Sequence, residues 1–81
     1  MERSQLLERI EVNPEIMVGK PVVRGTRLSV QYILNLLANG ATINEILQEY
    51  DLLKNEDVLA CLQYASEMLE DTSFMPLIKA I

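Results

Sequence analysis

No histidine or tryptophan occurs in this chain, cysteine occurs once, and aromatic side chains make up 5% of it. Without histidine the commonest general acid–base group and metal ligand is missing. The single thiol, Cys61, excludes an internal disulfide framework, a cysteine–histidine nucleophile pair and a zinc cluster. It is expected to serve as a small core hydrophobe. Gly19 and Gly25 stand isolated, so no glycine-rich phosphate loop is formed. The carboxylate neighbours Glu56/Asp57 and Glu70/Asp71 would diverge on a helix and make no acid–base dyad. The chain is therefore expected to be non-enzymatic and to use no cofactor or metal. No apolar run approaches the roughly 18 residues that span a bilayer. Met1-Glu2-Arg3-Ser4-Gln5 has no leader pattern, so a cytoplasmic protein is the expectation.

What is present is aliphatic and unevenly charged. Hydrophobic residues make up 49% of 81, enough for one small ordered domain and too many for a disordered chain. So short a chain buries a modest core, and self-association often supports such domains. Residues 1–41 carry five basic and four acidic side chains, whereas residues 42–81 carry two and eight. No carboxylate side chain stands between Glu15 and Glu45. One end of the fold should be mildly basic and the other strongly acidic.

The local patterns predict a β element at 9–28, a three-helix unit at 29–71, and a tail or short helix at 72–81. Residues 1–9 fit a short helix or an extended arm. Asn13-Pro14 signals a turn, and Ile16-Met17-Val18 is a short apolar run stopped by Gly19. Pro21-Val22-Val23 and Thr26-Arg27-Leu28 flank Arg24-Gly25 and predict a tight hairpin, with Gly25 free to take positive φ. Pro21 belongs at a strand start or an edge. Ser29 is a good cap for a first helix with Val30, Ile33, Leu34, Leu37 and Ala38 on one stripe, ended by Asn39-Gly40. Thr42-Ile43-Asn44-Glu45 is a capping box for a second helix that runs to about Tyr50 and buries Ile46, Leu47 and Tyr50. A third helix runs from about Asn55 to about Asp71. Its expected inner stripe is Val58, Cys61, Leu62, Ala65 and Leu69, with Leu59 and Met68 beside it. The sum is a mainly α fold, a helix-turn-helix-like three-helix bundle after a β-hairpin. A plain bundle with the same loops fits equally well, so topology alone assigns no function.

Three groups of residues are candidates for contact. Lys20, Arg24, Gly25, Thr26 and Arg27 form a basic turn suited to a phosphate or carboxylate, or to an ordinary solvated hairpin whose arginine stems cover apolar surface. Lys54, Asn55, Gln63, Glu67 and Glu70 lie on the outer face of the third helix, together with Glu56 and Ser66. Asn and Gln can read adenine edges. Yet Asn55–Asp71 holds five carboxylates and no Lys or Arg, which opposes a phosphate backbone and suits a solvated face or a basic protein partner. Phe74, Leu77, Ile78 and Ile81 are the apolar residues of the tail, which either completes its own core or lies in a groove on a second copy or another protein.

Pro14, Gly19-Lys20-Pro21, Val22-Val23, Arg24-Gly25-Thr26-Arg27, Ser29-Val30, Gly40 and Glu56-Asp57 together resemble the signature of the small bacterial family called domain of unknown function 433. The resemblance spans about residues 8–66. It implies a homeodomain-like three-helix fold after a β element. It also implies an antitoxin-like role beside a PIN-like ribonuclease toxin, with repression of its own operon through the helix-turn-helix. Two positions depart from the pattern. Asp51 stands where many members have Pro, and Lys54 where many have the Thr that caps the third helix. The expected role is thus a protein-binding antitoxin of the toxin–antitoxin type, acting as a homodimer and occluding a basic nuclease groove. A helix-turn-helix DNA-binding regulator is the rival, and a purely structural homodimer the third alternative.

Overall fold

The computed structural model describes residues 2–15 and 17–70. Helix α1 (Arg3–Leu7) leads into strand β1 (Ile10–Val12). A single 3-10 turn (Met17–Gly19) then precedes strand β2 (Pro21–Val23). Helices α2 (Val30–Ala38), α3 (Ile43–Glu49) and α4 (Asn55–Glu70) follow. The architecture is a small helical bundle preceded by a two-stranded antiparallel hairpin.

The hairpin differs from the expected one. β2 pairs with β1, in the register Ile10↔Val23, Glu11↔Val22 and Val12↔Pro21, so the connecting loop is the Asn13–Lys20 segment. The Arg24–Gly25 turn does form, closed by Val23 N–H to Leu28 O (3.0 Å) and by a Val22↔Ser29 bridge. Thr26-Arg27-Leu28, however, is not a strand. Thr26 explains why: its amide and its Oγ1 both donate to Val23 O, and Oγ1 accepts from the Leu28 amide. This local bonding competes with a ladder. Gly25 has φ 84, as the turn demands. Val18 also takes positive φ (54) and is 93% exposed, so the predicted apolar run does not enter the core there.

The helix starts match their caps. Ser29 Oγ accepts from Tyr32 N–H (3.0 Å), and Thr42 and Glu45 form the reciprocal box at α3. Gly40, with φ 99, follows the α2 cap Asn39. The core draws on every layer: Ile10 and Val23 from the hairpin, Val30 and Ile33 from α2, Ile46 from α3, Leu53 before α4, and Val58, Ala60 and Cys61 within it. Leu34, Leu37, Leu47 and Tyr50 are half-buried around it, whereas Ala38 is exposed.

The face α4 buries keeps Val58, Cys61 and half-buried Ala65 of the expected stripe but is turned away from its leucines. Asp57, Val58, Ala60 and Cys61 are buried, whereas Leu62 is 44% and Leu69 68% exposed. The expected stripe followed the aliphatic residues. The observed one follows positions 57, 58, 60, 61 and 64, with half-buried Tyr64 packed on the core. Helix α1 causes part of the shift. It packs along α4, and Arg3 forms an ion pair with Glu67.

Candidate functional site

Arg24 and Arg27 leave one turn in different directions. Arg24 lines an open cleft of about 610 Å³ with Gln5, Glu8, Arg9 and Asp57. Its Nε donates to the Glu8 carbonyl at 2.8 Å. Arg27 instead lies beside Leu28, Tyr32, Tyr50 and Leu52 on shallow depressions of the bundle. Tyr32 and Tyr50 meet edge to face there, their ring centroids 6.0 Å apart, and their hydroxyls share a hydrogen bond. Lys20 is exposed before β2 and lines neither region. Gly25 and Thr26 serve the turn itself. The basic group identified in the sequence is therefore not one patch.

The cleft is built on a buried carboxylate. Asp57, 6% exposed, lies in the first turn of α4. Its Oδ1 accepts from Arg9 Nη1 at 3.0 Å and its Oδ2 from the Lys54 amide at 2.9 Å. This is the reach-back half of a capping box. It shows how α4 starts without a capping side chain at Lys54, whose own chain is exposed. Neither Arg9 nor the buried role of Asp57 was anticipated. The signals that could have found it are the place of Asp57 in the family signature and its position three residues after Lys54, the reach-back spacing of a capping box.

The outer face of α4 is more apolar than expected. Asn55, Ser66 and Glu70 are exposed, with Leu59 (37%), Leu62 (44%) and Met68 (54%) among them. Gln63 and Glu67 are half-buried rather than free: Gln63 Nε2 donates to Glu67 Oε2 at 2.9 Å, and Arg3 holds the same carboxylate. The bond from Arg3 lowers the Glu67 pKa, and Glu67 raises that of Arg3. From Asn55 to Glu70 the helix has no Lys or Arg of its own, and Arg3 from α1 is the cation brought to Glu67. Cys61 is buried and its thiol is pushed up to about 12, by burial first and by Asp57 second, so it is no nucleophile at neutral pH. Phe74, Leu77, Ile78 and Ile81 lie outside the described residues. Among the described residues no cluster of His, Cys, Asp or Glu has metal-binding geometry, and no helix is long and apolar enough to cross a membrane.

No curated protein sequence matches the chain. A DUF433 member from Anabaena variabilis ATCC 29413, solved by crystallography, superposes with a TM-score of 0.74 at 28% identity. The match covers 83% of this chain and 66% of that one, so the present chain spans just under two thirds of its neighbour. The sequence profile of the family described as "Protein of unknown function (DUF433)" matches residues 10–65, which take in the hairpin, the Arg24–Arg27 turn, the buried Asp57 and most of α4. The chain belongs to the DUF433 family.

Proposed function

We propose that the protein is a non-catalytic antitoxin-like module that binds a basic protein partner of the PIN-like ribonuclease class. One observation carries this reading: the outer face of α4 exposes Leu59 and Leu62 on a helix with no Lys or Arg of its own between Asn55 and Glu70. Exposed apolar residues on a helix without a basic side chain of its own fit the cationic groove of a nuclease, with Glu56 and Glu70 as carboxylates that no basic side chain pairs among the described residues. The charges would raise the association rate and the leucines would slow dissociation. The same face opposes a phosphate backbone, which ranks the DNA-binding regulator below the antitoxin.

The test is co-purification with the product of the adjacent reading frame and inhibition of that product's ribonuclease activity. Leu59→Asp with Leu62→Asp should abolish the complex while leaving the circular dichroism spectrum and the melting transition in place. Removal of residues 72–81 should weaken it, and Arg24→Ala or Arg27→Ala should not. Sedimentation of the purified chain separates the homodimer reading, in which a second copy covers α4. Tight binding of duplex oligonucleotides at about 150 mM salt would instead favour the regulator.

A further inference from the structure

We infer that the cleft between α1, the end of the hairpin and the start of α4 is a phosphate-binding site, built by the guanidiniums of Arg9 and Arg24. The hairpin register continues one step beyond the strands, where the Arg24 amide donates to Arg9 O at 2.7 Å. Arg9 and Arg24 thus stand directly opposite each other, on one face of the ladder. Like charges in that position repel and are unfavourable without a counter-ion. A single buried carboxylate answers them: Asp57 takes one N–H of Arg9. Arg24 gives only its Nε, to the Glu8 carbonyl, so both of its Nη groups lack a partner among the described residues. Nε and Nη2 of Arg9 are equally unused. Each side chain is therefore anchored by one hydrogen bond with donors left over, in a cleft of about 610 Å³.

The count of donors selects the ligand. A carboxylate is planar and presents its two oxygens to one guanidinium fork. Two forks at paired positions just beyond the strands suit a tetrahedral group with three or four oxygens, and phosphate is the biological one the arginine fork matches. The Glu8 side chain also lines the cleft without bonding to either arginine. It lowers affinity for any anion and favours one held by geometry over one drawn by charge alone. This site is separate from the outer face of α4 and does not depend on the partner proposed there.

Isothermal titration of the whole chain with inorganic phosphate, and separately with a 5′-phosphorylated single-stranded oligonucleotide, tests the site at fixed salt. Saturable binding is expected in at least one arm, and the arm that binds tighter names the source of the phosphate. Arg24→Ala should weaken it about tenfold or more, because hydrogen bonds to charged groups are lost. Arg24→Lys, which keeps the charge and loses the fork, should weaken it as well. Glu8→Gln should strengthen it and Arg27→Ala, away from the cleft, should leave it unchanged. Acetate at the same concentration should not compete. Thermal melts of each variant separate lost binding from lost fold. Absence of binding in both arms overturns the proposal, as does an Arg27→Ala effect equal to that of Arg24→Ala.

Discussion

Asp57 joins three parts of the chain through two oxygens. It stops the amide of Lys54 from being orphaned, fixes Arg9 and sits against the core at the start of α4. Breaking a buried pair by removing one partner is more damaging than the pair is stabilising, because the other charge stays behind. Asp57→Ala should cost about 3 kcal/mol in urea unfolding. In a double-mutant cycle, Arg9→Ala on that background should cost less than Arg9→Ala alone. Equal costs would show that the two residues act independently. Cys61 supplies a second test. Its thiol, raised to about 12 by burial, should resist a disulfide reagent in the native protein at pH 8 and react promptly in denaturant. A raised folded value means that stability is full below the unfolded pKa near 9 and declines as pH climbs towards 12.

At the scale of elements, helix ends and the inner faces of α2 and α3 were legible in the sequence, and the full face of α4 was not. Caps are local: Ser29, Thr42 with Glu45, and Gly40 each act within a few residues, so their spacing alone announces them. The buried face of α4 depends on what packs against it. Leu62 and Leu69 look like core residues by hydropathy, but α1 and the Arg9–Asp57 pair draw the other side of the helix inward. Pairing of β2 with β1 rather than with Thr26–Leu28 was hidden for a similar reason, since the Thr26 hydroxyl decides it locally. The divergence of Arg24 and Arg27 follows from that turn and could not be read from the Arg-Gly-Thr-Arg string. The α1–α4 contact makes a prediction at this scale. Arg3 depresses the Glu67 pKa, so the contact adds stability above the unfolded value near 4.5. That contribution fades as pH falls through the folded value. Glu67→Gln should flatten the acid limb of a stability–pH curve, with hydrogen exchange in residues 3–7 already fast at neutral pH. An unchanged acid limb would rule the contact out as a source of stability.

For the whole molecule, charge and core divide the labour. The mildly basic first half builds the hairpin, α2 and the arginines of the cleft, and the acidic second half builds α3, α4 with its outward leucines, and the Asp57 that anchors the cleft. The family assignment rests on the same span of chain, residues 10–65, which contains most of the core. Domains of this size hold only a few kcal/mol of net stability, so single residues weigh heavily. Val18 is the place where that balance is easiest to tip. A branched side chain in left-handed backbone, projecting into water, gives nothing to the interior and holds an unfavourable torsion. Replacing it with glycine, Val18→Gly, should make the protein hardier, with a midpoint a few degrees higher in calorimetry. An unchanged or lower midpoint would mean that this bend is held for a contact the isolated chain does not make.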